Sequence, residues 1–215
     1  MSESVAAHPE PATPEPVKQS WIMLKLIAIV GITLSLFQLY AAGVQPLGLF
    51  YQRPIHLGFI LVLCFLIYPV TGPDRHRGPV GWAIDGALIA VSIVVGGWVP
   101  WNIEIIANAI FPRQIDVTMG IITVILVLEA ARRCVGLVMT IIGAVFLLYA
   151  FGGTRGPLPW LSDYLPGIMN HRGYSVERVA SQMTLGAEGI YGIPLGVAST
   201  FIFVFVLFGA FLEVT

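Results

Sequence analysis

Charge is scarce in this 215-residue chain: Asp, Glu, Lys and Arg together make up 11% of it, against roughly 25% in a soluble domain. With 57% of its residues hydrophobic and a mean hydropathy of +0.86, too little polar surface remains to cover a water-facing globule. Hydrocarbon must be part of the solvent. Cysteine is scarcer still. Cys64 and Cys134 are the only two, which excludes a disulfide framework, and Cys64, within a run of Leu and Phe, reads as a small buried hydrophobe. No run of Lys or Arg offers an electrostatic footprint for nucleic acid, and a net charge of -1 points to no partner of either sign. His8, His56, His76 and His171 are scattered and make no metal-ligand cluster; His56, at the start of an apolar run, reads as an interfacial residue. HExxH, GxSxG and a phosphate-cradling glycine loop are all missing, so neither enzyme chemistry nor a resident cofactor is expected.

The first twenty residues lack the basic start and the cleavage site of a secretory signal. Their four prolines (Pro9, Pro11, Pro14, Pro16) and three glutamates (Glu3, Glu10, Glu15) mark 1–20 as a disordered tail on the side from which the chain is inserted.

What the sequence has in abundance is apolar runs. Crossing the hydrocarbon takes about 20 apolar residues, sometimes 17, and four runs qualify directly: Trp21–Ala42, Ile55–Thr71, Trp82–Val99 and Ile193–Leu212. The stretch Ile115–Phe151 is nearly twice too long for one crossing at about 1.5 Å per residue. It is interrupted by Glu129, Arg132 and Arg133, which are costly at the bilayer centre, so it divides into Ile115–Ala131 and Cys134–Phe151. The reading is an all-α, polytopic membrane protein of about six transmembrane helices with a short interfacial helix. All five tryptophans (Trp21, Trp82, Trp98, Trp101, Trp160) and Tyr40, Tyr68, Tyr149 and Tyr191 fall at or beyond helix ends, where amphipathic rings prefer the headgroups.

Lys and Arg in the short connections set the orientation. Lys18 and Lys25, then Arg75 and Arg77, then Arg132 and Arg133 share one side; Arg53 and Arg113 lie on the other, with Arg155, Arg172 and Arg178 in a longer loop. The first side, with the N-terminus, is expected to be cytoplasmic.

Charged residues near the bilayer are the candidate sites. Glu129 precedes Arg132 and Arg133 by three and four positions, so all three share one helical neighbourhood. They form either an end anchor neutralised by its own arginines or a clamp to another helix or domain. Asp85, one turn inside the third span, is a functional candidate by its place or a hydrogen-bonding partner for a neighbouring helix. In the loop 154–192, Ser175 can cap a short helix carrying Val176, Val179, Ala180 and Met183 on one face, which would lie on the membrane surface or against a partner. Beyond it come Glu188, Gly192, Pro194 and Gly196. The two glycines make a small-xxx-small face and the proline suits a first helical turn; the segment is either a hinge at a transport pathway or a tightly packed helix start.

Several runs, in this order and spacing, resemble the fused membrane permeases of TRAP (tripartite ATP-independent periplasmic) transporters, in the branch associated with TAXI-type binding proteins. They are IHLGFILVLCFLIYP (Ile55–Pro69), VLEAARRCVG (Val127–Gly136), FLLYAFGG (Phe146–Gly153), YLPGIMNHRGYS (Tyr164–Ser175) and EGIYGIPLGVASTFIFVFVLFGAFLE (Glu188–Glu213). The resemblance covers most of the chain from about Phe37. It implies a secondary transporter of the bacterial inner membrane, driven by a cation gradient, usually sodium, and fed by a periplasmic substrate-binding protein. Residues 21–133 then resemble the small four-helix scaffold portion, 134–153 a linking helix, 154–192 a periplasmic loop, and 193–215 the first helix of the large portion. The family's substrate and ion sites lie in the remainder of that large portion, so no binding residue is assigned here. The chain is expected to be a fragment, or the product of a split gene, that does not transport alone. The competing readings are a free-standing membrane interaction protein that docks a periplasmic partner through 154–192, and an intramembrane enzyme.

Overall fold

The computed structural model describes residues 21–45, 47–71, 78–109, 111–164, 166–186 and 188–214. The tail 1–20 and the connection carrying Arg75 and Arg77 lie outside the described residues.

Each helix boundary has a local cause. α1 (Trp21–Gly43) is predominantly apolar, and Lys25 folds back over the Trp21 ring, 3.4 Å from its centroid. α2 (Leu49–Ile67) starts after Gly48, six residues before the expected start, and runs through Pro54. It stops four residues early because Tyr68 precedes Pro69 and is held in extended conformation (φ -107°, ψ 95°), as the proline ring demands of its predecessor. α3 (Pro79–Asn108) opens on a proline at its first turn and continues through Pro100. That makes it nine residues longer at its C-terminal end than the expected third span. Its 30 residues span about 45 Å, more than the hydrocarbon. α4 (Gln114–Cys134) keeps Arg132 and Arg133 in its last turn, where cations offset the partial negative charge of the helix end. The break expected at 132–133 falls instead at Val135–Gly136. Gly136 takes φ +113° and its N–H closes on the Ala131 carbonyl at 3.0 Å. This is a conformation that a side chain would oppose.

α5 (Leu137–Phe151) has 15 residues and no buried side chain. It doubles back on α4, with Thr140 Oγ1 donating to the Leu128 carbonyl (3.4 Å). Two 3₁₀ turns (Pro159–Tyr164 and Gly167–Met169) precede α6 (Val176–Thr184), whose N-cap is Ser175, accepting from the Arg178 N–H. The amphipathic helix is as expected; what it buries against is α4. Ala180 and Thr184 lie on Gly120, so close that a Cβ there would sit 2.7 Å from Thr184 Oγ1. The last helix is interrupted: α7 (Ile193–Val197), a π-helical turn (Ala198–Ile202) and α8 (Phe203–Val214).

Five of these helices are long and apolar enough to cross a membrane: α1 to α4 and the composite Ile193–Glu213. The described residues are otherwise helical or irregular, with one isolated bridge between Gly152 and Leu158. An all-helical chain of this kind is a multi-pass membrane protein, and its broad exposed belt of Ile, Leu, Val and Phe is the surface that hydrocarbon covers.

Antiparallel packing orders the bundle. Met23 at the start of α1 meets Val62 and Leu66 at the end of α2. The main core joins Leu57, Leu61, Cys64 and Phe65 of α2 to Val95 and Val99 of α3, Leu126 of α4, and Tyr191. At the α2–α3 crossing a Cβ on Gly58 would stand 2.9 Å from the Gly96 Cα, so backbones touch there with nothing between them. The last helix enters beside Arg53, then passes Gln52 and His56, running alongside α2.

Candidate functional site

Asp85, Glu129, Arg132 and Arg133 come together at the end of the bundle where α2 stops, α3 starts and α4 stops. The Arg133 guanidinium is the centre. Its Nε donates to Glu129 Oε1 (2.7 Å), and its Nη1 donates to Asp85 Oδ1 on α3 (2.6 Å) and to the Tyr68 carbonyl after α2 (3.0 Å). The other Asp85 oxygen accepts the Val70 N–H at 3.4 Å. The Arg133 side chain is 2% exposed and that of Asp85 1%, and the guanidinium stacks 4.9 Å from the Phe65 ring centroid. Arg132 points the other way. It holds Glu129 with two bonds of 2.7 and 2.8 Å while its side chain stays 39% exposed. Both sequence readings are therefore realised, one by each arginine: Arg132 neutralises Glu129 at the surface, and Arg133 clamps α4 to α3 and to the end of α2. Every charge is paired, so the cluster offers no free base or nucleophile. Its chemistry is that of a fastener.

The same end brings the two cysteines together. Cys64 Sγ and Cys134 Sγ are 2.8 Å apart and unbonded, although 70 residues separate them in sequence.

The opposite end carries a second fastener. Arg113 donates to both oxygens of Asp116 (2.8 and 2.9 Å) and to Asn102 Oδ1 at 3.2 Å, and Trp98 Nε1–H donates to Asp116 Oδ1 at 3.0 Å. The Asp116 carboxylate beside Arg113 raises the guanidinium's pKa above its ordinary value. Trp98 is thus tied into the bundle instead of floating at the headgroups, and Tyr191 is likewise 1% exposed. Burial pushes the Tyr191 phenol up to about 12, against the opposing pull of a hydrogen bond with Thr123. In α6, Glu177 is held below the usual carboxylate range by its own backbone N–H and the Ser175 hydroxyl.

Gly192, Pro194 and Gly196 do lie where a helix starts, with Pro194 in its first turn. The approach they permit is made by a side chain. Arg53 Nη1 donates to the Tyr191 carbonyl (2.6 Å) and the Gly192 carbonyl (3.0 Å), and a Cβ on Gly196 would meet that guanidinium at 2.6 Å. Glu188 sits exposed on the preceding turn, apart from these clusters. Alongside, Gln38 of α1 bonds the His56 Nδ1 and accepts from Gln52 Nε2 (3.1 Å), which also reaches the Ser199 carbonyl at 3.3 Å. Ser199 lies in the π-helical turn, so three helices share one buried polar seam. His56 is 4% exposed, a seam residue and not an interfacial one. Among the described residues no group of three or more His, Cys, Asp or Glu side chains clusters as metal ligands do.

No family model, curated protein or solved structure matches the chain.

Gln38, Gln52 and Asp116 are buried polar residues that a reading by runs overlooks, and Arg53 and His56 enter that reading only as a loop cation and an interfacial residue. Their signal is present: each is a polar side chain at the edge of an apolar span, where burial without a partner is expensive. Arg53→Ala should release the start of the last helix, because charged hydrogen bonds of this kind contribute about 1.5–3 kcal/mol each. Hydrogen exchange by mass spectrometry should show faster exchange across Tyr191–Ser199 and little change in α3. Unchanged protection there would mean that Arg53 holds nothing.

Proposed function

We propose that this chain is the scaffold and assembly portion of a TRAP-type secondary transporter permease, in the TAXI-associated branch, seated in the bacterial inner membrane with its N-terminus in the cytoplasm. The observation that carries the reading is the pair of fasteners at the two ends of α2. Arg133 ties α4 to α3 and the α2 exit, and Arg53 ties the α2 entrance to the turn before the last helix. A moving transport element needs a part that does not move. On this reading Arg133 locks helices of the four-helix unit to one another and Arg53 ties that unit to the start of the last helix, as a scaffold and assembly role requires. The runs quoted above supply the family.

On this reading the chain crosses six times. α4 ends at the Arg133 cluster, whereas α6 rests on Gly120 in the first third of α4. α5 makes the return, and its 15 residues extend about 22 Å, a short crossing that calls for thinned bilayer or a partner. The coupling cation, sodium by family expectation, and the cargo belong to the rest of the large portion, and a TAXI-type binding protein would dock on the periplasmic side. A reporter fused after Arg113 should behave as periplasmic, and cytoplasmic behaviour would sink the orientation. Uptake by the complete permease with its binding protein should follow a cation gradient and persist through ATP depletion while that gradient is clamped. ATP dependence under the clamp would overturn the transporter class.

A second reading draws on the loop after α5, where Trp160, Tyr164 and Ile168 are exposed: a free-standing membrane protein that docks a periplasmic partner there. Downstream coding sequence separates the two, since the first reading expects further permease helices and a binding-protein gene beside them.

A further inference from the structure

The two cysteines are absorbed by neither fastener. Cys64 belongs to the last turns of α2 and is buried, while Cys134 is the final residue of α4 and is exposed. Their sulfurs stand 2.8 Å apart, roughly 0.8 Å beyond a disulfide bond length, so oxidation needs a small shift and no rearrangement of helices. Cys64 Sγ also donates to the Ala130 carbonyl at 3.8 Å, which keeps it turned toward α4. Just beyond Cys134 comes the positive-φ Gly136, where the chain turns from α4 into α5.

From this geometry we infer that Cys64 and Cys134 form a reversible dithiol site, which a small disulfide oxidant of the glutathione class converts to an α2–α4 disulfide. Exposure assigns the order of events. The Cys134 thiolate attacks one sulfur of the oxidant, forming a mixed disulfide and expelling one glutathione thiolate. The Cys64 thiolate then attacks Cys134 Sγ, closing the protein disulfide and expelling the second. Two protein thiols are oxidised, one glutathione disulfide is reduced to two thiols, and the two protons pass to the departing thiolates. The crosslink ties the end of α2 to the end of α4 next to Arg133, adding a covalent fastener to the ionic one.

The test uses the purified 215-residue chain in lipid nanodiscs, treated with oxidised glutathione and read by intact mass and by alkylation under denaturing conditions. The wild type should lose two hydrogens in mass, carry no glutathione, resist alkylation at both sites and revert with dithiothreitol. Cys64→Ala should stall with one glutathione on Cys134, and Cys134→Ala should react far more slowly because the remaining thiol is buried. Both thiols still open to alkylation after treatment would overturn the inference. So would a glutathione adduct persisting on the wild type, or a disulfide joining two chains on a non-reducing gel. Circular dichroism of the two alanine variants separates failed folding from failed chemistry, and both are small changes at a helix end.

Discussion

Arg133→Ala should cost about 3–5 kcal/mol, because it breaks the buried ion pair that joins α4 to Asp85 of α3. The effect should appear as a large fall in the midpoint of detergent or thermal unfolding. Arg132→Ala is the control one residue away. Its partner Glu129 is shared with Arg133 and its own side chain is 39% exposed, so the expected loss is about 0–1 kcal/mol. Equal damage from the two arginine variants would show that the buried clamp does not hold the helices.

Gly58→Ala and Gly96→Ala should each loosen the α2–α3 crossing. A Cβ at Gly58 would meet the Gly96 Cα at 2.9 Å and the Ser92 carbonyl at 3.4 Å; a Cβ at Gly96 would meet the Gly58 Cα at 2.8 Å and the Pro54 carbonyl at 3.3 Å. The obstacles are backbone atoms, which cannot swing aside, and overpacking of this sort costs about 1–3 kcal/mol. Both changes push the same two helices apart, so the double variant should cost less than the sum of the singles. Gly97→Ala, where a Cβ meets nothing within 4 Å, should be neutral or gain about 0.5–1 kcal/mol from the helix preference of alanine. Crosslinking yield between cysteines placed on α2 and α3 would read the separation directly. Tolerance of alanine at both positions, with yield unchanged, would rule out backbone contact as the basis of this interface.

Much of the bundle is legible in composition, because a chain with so little charge and such long apolar runs has few places to bury its backbone other than helices in hydrocarbon. The existence of α1 to α4 and of the last helix follows from run length. Their ends depend on finer chemistry: Tyr68 before Pro69 shortens α2, while Pro100, inside a helix already packed on its neighbours, fails to stop α3. Hydropathy reads neither. The glycine reading pointed at Gly192 and Gly196, yet the close helix contact is made by Gly58 and Gly96, one glycine from each of two helices. No spacing within a single run marks such a pair.

Low charge and run lengths thus determined on their own that this chain lives in a bilayer as helices, and the spacing of Glu129, Arg132 and Arg133 that the three would pair. Only the tertiary structure decided what that pairing is for. Successive residues on a helix point about 100° apart, so Arg133 turns into the bundle to Asp85 and Tyr68 while Arg132 turns out to water. Which of two adjacent arginines faces a neighbour depends on where the neighbouring helices stand, and the same is true of Cys64 finding Cys134. Sequence carries the chemistry of each group, and packing alone supplies its partner.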